Sequence, residues 1–224
     1  MRIVLRIGGS VIASPINSGL IMQYVALLKD LRRQGHGVAV VVGGGALARE
    51  FIRVAKQMKL HEEAQDRVAI SVSRLFAQLF IEELGDIGCG AVPSTIEDAT
   101  ECLSKGKVAV MGGLKPGMTT DTVAALIVKK VKADLLVKAS DQEGVYNKDP
   151  KKHSDAAKFD HLTFETLAQV FTKDKHEAGI HQILDPEALR VLQRGKVKVV
   201  VVNGFNPENV LMSVDGKRVG TLID

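Results

Sequence analysis

The chain has 224 residues and a mass of 24.1 kDa, with 46% hydrophobic and 25% charged residues. That length suits one large domain, and that balance excludes intrinsic disorder, because enough apolar surface exists to offset the ordering entropy. A net charge of +4 is scattered along the chain and aromatic residues reach only 4%, which argues against nucleic-acid binding and base-stacking surfaces but suits a small phosphate-bearing substrate.

A first strand is expected at Ile3–Ile7, closed by Gly8-Gly9-Ser10. The stretch Leu20–Arg33 places Leu20, Tyr24, Leu27, Leu28 and Leu31 on one helical face. Val38–Val42 (VAVVV) reads as a strand buried on both faces; it runs into Gly43-Gly44-Gly45 and then a helix over Ala46–Met58. A long helix follows over Glu62–Leu84, and Ser94-Thr95-Ile96-Glu97 reads as a capping box that opens a helix ending near Lys105. Val108–Met111 is the third strand, closed by Gly112-Gly113, and Asp121–Val131 the next helix. Asp134–Lys138 is the fourth strand, ending at Ala139-Ser140; the polar stretch Gly144–Lys158 reads as a hairpin-like excursion from the sheet. Val197–Val202 is the fifth strand, and Asp185-Pro186-Glu187 and Asn206-Pro207-Glu208 each place a cap residue before a first-turn proline. Strands alternating with helices predict an α/β fold: a three-layer α/β/α sandwich with a mainly parallel central sheet, as a single domain over residues 1–224.

In such sheets ligands bind at the carboxyl ends of the strands. Three strands here end in paired or tripled glycines, which let backbone N–H groups approach an anion without a Cβ in the way. Neither a GxxxxGK[ST] nor a GxGxxG pattern is present, so the P-loop and the dinucleotide fingerprint both fail. The plainer reading is that each glycine pair only turns the chain. Pro116–Asp121 sets two hydroxyls and a carboxylate at a helix start: either a cap with a favourable charge, or an anion-binding edge with Asp121 orienting a catalytic group. Ser140 to Tyr146, then Asp149, follows the fourth strand; alone it is a weak signal.

In order, the runs Ile7–Ser10, Val42–Gly45 with Leu47-Ala48-Arg49, Met111–Gly113, Gly117–Asp121, Ala124-Ala125, Gly144–Tyr146, Asp149-Pro150 and Gly220–Ile223 resemble the amino-acid-kinase fold family, most closely its uridylate (UMP) kinases of archaeal type. The resemblance implies transfer of the γ-phosphoryl group of ATP to UMP, giving UDP and ADP for pyrimidine nucleotide biosynthesis, with Mg²⁺ and no metal site of the protein's own. It implies catalytic roles for Arg6 and Asp121. Gly9, Ser10, Gly45, Arg49, Ser140, Tyr146 and Asp149 would bind ATP. Gly44, Asp66, Leu114, Lys115, Pro116, Gly117, Met118, Thr119 and Thr120 would bind UMP. The acceptor part would span roughly residues 1–135 and the ATP part roughly 136–224, in a homo-oligomer of hexameric type.

The sequence departs from the family at Arg6, where many members carry Lys, and at Asp141, where many have Lys or Asn. A carboxylate at 141 would repel phosphates unless Mg²⁺ or a lysine lies close. Another kinase of this fold, acting on an isoprenoid phosphate or an acyl amino acid, and a non-catalytic nucleotide-binding protein remain alternatives at this stage. Cys89 and Cys102, without CxxC spacing, suggest a reduced chain. No apolar run suits a membrane span and Arg6 interrupts the apolar N-terminus, so a cytoplasmic protein is expected.

Overall fold

The β-branched runs of the sequence become the centre of one sheet. A computed structural model of the chain describes residues 1–173 and 183–224. Its elements begin with β1 (Arg2–Ile7), the short α1 (Gly9–Ile12), α2 (Ser18–Arg33), β2 (Gly37–Val42), α3 (Gly45–Gln57) and α4 (Glu62–Leu84). Then come α5 (Ile96–Ser104), β3 (Ala109–Met111), α6 (Thr120–Val131) and β4 (Leu135–Ser140). The remainder is β5 (Val145–Tyr146), β6 (Lys158–Phe159), β7 (His161–Leu162), α7 (Phe164–Lys173), α8 (Pro186–Gly195), β8 (Lys198–Asn203), α9 (Glu208–Val214) and β9 (Thr221–Ile223).

Seven strands form the main sheet in the order β3-β2-β1-β4-β8-β9-β7. All neighbours are parallel except β8 and β9, which run antiparallel. One group of helices, α5, α6 and α8, packs side by side on the sheet, while α2 and α4 form a second group with α3 beside α4. This is the expected mainly parallel α/β sandwich. Val38, Val40, Val41 and Val42 are wholly buried, as a strand covered on both faces requires. Gly144–Lys158 does leave the sheet as a hairpin, with β5 and β6 antiparallel in a sheet of their own.

Several local expectations need correction. The capping box opens one residue later than Ser94 to Glu97 suggests: the Thr95 hydroxyl accepts from Asp98 N–H and the Asp98 carboxylate accepts from Thr95 N–H. Glu97 is free of that task and reaches Lys130 of α6 at 3.1 Å. At Asn206-Pro207 the helix begins at Glu208, after the proline, with the Asn206 side chain accepting from Glu208 N–H at 3.2 Å. Cys89 and Cys102 are joined as a disulfide, not reduced thiols. The turn after α5 brings both beside Val108, whose neighbour Lys107 bonds Cys102 and whose carbonyl accepts from Cys89 N–H, leaving the Cα atoms 5.9 Å apart. The two-residue strands and β9 are too short to carry a readable period, and tertiary pairing defines them; α7 does carry one, with Phe164, Leu167 and Ala168 at helical spacing, and the sequence reading passed over it. Among the described residues no helix is long and apolar enough to cross a membrane.

Candidate active site

The register of β1 and β4 places Arg6 directly opposite Lys138. Two cations at paired positions repel, and α6 supplies what holds them together. Lys138 Nζ lies 2.8 Å from one Asp121 oxygen, and Arg6 Nε lies 2.8 Å from the other, an ion pair whose alignment falls short of a hydrogen bond. Arg6 also donates from Nη2 to the Thr120 hydroxyl at 3.0 Å, and Lys138 donates to the Ile183 carbonyl. The side chains are only 17%, 11% and 5% exposed for Arg6, Asp121 and Lys138. Burial pushes the Lys138 ammonium down to about 8 against the pull of Asp121, and the Arg6 charge pushes the same way.

This triad lies in the wall of a cavity of about 470 Å³ at the carboxyl ends of β1, β2 and β4. The turns after β1 and β2 meet there with no side chain between them: a Cβ on Gly9 would overlap the Gly45 backbone, and one on Gly45, whose φ is +59°, would overlap the Gly9 carbonyl. Glycine is therefore required for the approach of two backbones, and both turns lie on the cavity wall. The third cluster is different. Gly112 and Gly113 are off the cavity; a Cβ on Gly112 would come 2.6 Å from the Arg74 nitrogen, and Gly113 N–H donates to the Ser73 hydroxyl at 2.8 Å. The expectation that all three glycine turns line one ligand space is corrected for Gly112-Gly113, which pack against α4 and lie off the cavity wall.

The cavity gathers ten residues of the sequence reading, Arg6, Gly9, Ser10, Gly44, Gly45, Arg49, Thr119, Thr120, Asp121 and Ser140, from six separate places in the chain. Arg49 has no ion-pair partner among the described residues. Thr119 caps α6, accepting from Thr122 N–H at 3.1 Å, and donates to Asp185. Asp185 itself caps α8 through Glu187 and Ala188 N–H and accepts from the Thr122 hydroxyl at 2.9 Å. Burial would raise the Asp185 carboxyl, but these hydrogen bonds outweigh it and hold it below the ordinary range.

The other expected residues stand outside that wall. Leu114 and Met118 pack on the core. Gly117, at φ +75°, donates its N–H to Asp66 at 2.7 Å, so Asp66 anchors the Leu114–Thr120 loop to α4 and is not merely a solvated helix residue. Lys115 and Pro116 lie in the same loop, with Lys115 exposed. Tyr146 and Asp149 lie on the hairpin flank, off the cavity wall. Asp141 is on the wall, and the lysine that its charge calls for is present: Lys151 Nζ bonds it at 2.9 Å, while Lys151 N–H bonds Asp149. That bond raises the Lys151 ammonium above its ordinary range.

Sequence reasoning missed Lys138, Gln142 and the Asp185 contact with Thr119. Lys138 had one available signal, a lysine closing an apolar strand, and its meaning came only from the register with Arg6. Asp185 was legible as a cap, whereas its reach across 66 residues to Thr119 was not.

Residues 1–203 match the amino acid kinase family. The chain is 39% identical over 226 residues to a uridylate kinase of Methanocaldococcus jannaschii, covering all of both chains. It is 40% identical over 223 residues to a uridylate kinase of Methanocella arvoryzae, covering 100% of this chain and 99% of the other. The crystal structure of a uridylate kinase from Archaeoglobus fulgidus superposes with a TM-score of 0.89 at 35% identity, with full coverage of both chains.

Proposed function

The chain belongs to the amino acid kinase family, and from that premise we propose that it is a uridylate kinase, transferring the γ-phosphoryl group of ATP to UMP to give UDP and ADP. The observation that carries this reading is two side-chain-free turns abutting at Gly9 and Gly45 over the Arg6–Asp121–Lys138 triad, in one cavity. Full-length likeness to uridylate kinases favours UMP over the isoprenoid phosphate and acyl amino acid acceptors.

Transfer forms a bond from a UMP phosphate oxygen to the γ-phosphorus and breaks the bond to the β-phosphate oxygen, whose electron pair leaves with ADP. The nucleophile is already anionic near neutral pH, so no general base is needed. Asp121, with both oxygens held by cations, is suited to orienting Arg6 and Lys138 rather than to moving a proton. The two cations offset the charge of the migrating group, and the glycine turns hold the two phosphate chains in line. On the donor side Gly9, Ser10, Gly45 and Arg49 face the ATP phosphates, with Ser140, Tyr146 and Asp149 toward base and ribose. On the acceptor side Gly44, the Leu114–Thr120 loop and Asp66 hold UMP; we assign these parts to residues 136–224 and 1–135, apart from the shared glycine turns.

Among the described residues no three His, Cys, Asp or Glu groups converge to hold a metal. Mg²⁺ carried on the phosphates keeps several waters and needs few protein ligands. Ser140 is the oxygen donor at hand, Asp141 being held by Lys151, and the ion would neutralise phosphate charge. Phe51, Val54 and Met58 on α3, with Leu75 and Leu79 on α4, leave large apolar side chains 44–65% exposed on adjoining helices, which supports assembly of copies through this face in a hexamer. A cytoplasmic place in pyrimidine nucleotide biosynthesis follows from the same reading. The test is UDP formation from ATP, Mg²⁺ and UMP by the purified chain, beside a panel of acceptors; phosphorylation of another acceptor in preference to UMP, or nucleotide binding without turnover, overturns it.

A further inference from the structure

The turn after β4 carries one cavity-wall residue that has no role in the transfer described above. Gln142 is partly buried in the wall of the cavity that the triad lines, within the run Ser140–Glu143. Everything around it is tied down. The Ser140 carbonyl accepts from Gly204 N–H at 2.7 Å. Lys151 holds the Asp141 carboxylate at 2.9 Å, and Glu143 accepts from the Asn203 side-chain amide at 2.6 Å. Asn203 is fixed in turn, because its carboxamide oxygen accepts from Phe205 N–H at 2.9 Å. Beyond Gly144, Val145 N–H donates to the Thr221 hydroxyl at 2.8 Å. Among the described residues the Gln142 carboxamide has no hydrogen-bond partner. A free amide on a turn pinned from both sides is preorganised to meet a ligand.

Charge decides which part of a ligand it meets. The cations of the wall, Arg6, Arg49 and Lys138, stand elsewhere in the cavity. Gln142 carries no charge, and its chain neighbours Asp141 and Glu143 repel phosphate. A neutral surface that both donates and accepts suits this place. A carboxamide sets one donor beside one acceptor, the complement of the amino group and adjoining ring nitrogen of adenine. We propose that Gln142 is a specificity-determining residue for the phosphoryl donor, hydrogen-bonding the edge of its base. This deepens the uridylate kinase reading and rests on its placing of ATP in this cavity, with the base on the Ser140 side.

The experiment is calorimetry on the full chain without acceptor, comparing ATP, GTP and inorganic tripolyphosphate for the wild type, Gln142→Met and Gln142→Glu. Methionine keeps the length of the side chain and removes both hydrogen-bonding groups. ATP should then bind about tenfold more weakly, as the loss of one paired base edge implies, while tripolyphosphate is unaffected. In steady state the same variant should raise KM for ATP and keep kcat. Glutamate only accepts, and so matches the two adjoining N–H donors of guanine. The ratio of ATP to GTP affinity should therefore fall tenfold or more in Gln142→Glu, and repulsion by the added charge, which both nucleotides feel, leaves that ratio readable. Unchanged ATP affinity in Gln142→Met, or an unmoved ratio in Gln142→Glu, overturns the proposal. Equal weakening of tripolyphosphate also overturns it, since Gln142 then faces the phosphates. A wild-type chain that binds ATP and leaves UMP unphosphorylated counts against the uridylate kinase reading alone; one that binds no ATP overturns both.

Discussion

Arg6, Asp121 and Lys138 ride on elements of six or more residues in the middle of the sheet and its covering helix, whereas Tyr146, Asp149 and Lys151 belong to a hairpin whose strands are two residues each. Each triad member is held by at least two partners and almost dry. The hairpin is joined to the body by Thr221, by the exposed Lys158 and by the Lys151–Asp141 pair. Low dielectric makes charge in the triad strong and costly to unbalance; water around the hairpin makes each contact weak and replaceable. A site divided this way can fix the charge that meets the moving phosphoryl group while letting the donor flank adjust to the nucleotide.

The largest effect is expected where the dry region is unbalanced. Asp121→Asn leaves Arg6 and Lys138 at paired positions without the carboxylate that bridges them, so stability should fall by about 3 kcal/mol and kcat/KM by roughly 10³-fold, read by denaturant unfolding and steady-state UDP formation. Lys138→Met separates the two roles. The buried ammonium is replaced by an apolar chain of similar length and Asp121 keeps Arg6, so stability should stay within about 1 kcal/mol of wild type while kcat falls roughly 10²-fold. If turnover survives Lys138→Met, the buried lysine is structural and the division drawn above fails. Between these in size lies Gly9→Ala, whose Cβ meets the Gly45 backbone; separating the turns should cost about 2 kcal/mol and raise KM for both nucleotides together.

The same division separates what was legible in the sequence from what was not. β1, β2, β4 and β8 are apolar runs, and the glycines after β1 and β2 mark the cavity, so those strands could be named from spacing and ten wall residues from spacing and resemblance, whereas the strand order could not. Two-residue strands such as β5 and β7 have no period to read. Side-chain partnerships between distant segments, Arg6 with Lys138 or Asp185 with Thr119, depend on register and on helix placement that no local pattern encodes. Gly112 and Gly113 show the limit from the other side: a glycine pair after a strand looks the same in sequence whether it faces an anion or the backbone of α4.

Titration sharpens the comparison without a mutation. With Lys138 lowered to about 8 by burial, the free enzyme loses that charge above this pH, so kcat/KM should decline severalfold between about pH 8 and 9.5. Stability should move the other way. The unfolded chain holds its lysine proton up to the ordinary 10.5, so between the two values it binds more protons than the folded one, and this group's contribution to stability rises with pH. Lys138→Met should abolish both trends, which separates them from titrations elsewhere.

The smallest effect is expected at the hairpin. Lys151→Ala breaks an exposed pair with Asp141, so stability should change by less than about 1 kcal/mol. The loss should instead appear in substrate handling, because Asp141 then faces the ATP phosphates without its lysine. KM for ATP should rise about threefold to tenfold, with KM for UMP and kcat little altered, and added salt should narrow the difference by screening the carboxylate. Asp141→Asn in the same background should restore KM for ATP, since the amide keeps the shape of the side chain and removes the repulsion. A rise in KM that persists in the double variant would mean that Lys151 contacts the nucleotide itself, and the hairpin would then belong with the charged triad rather than stand apart from it.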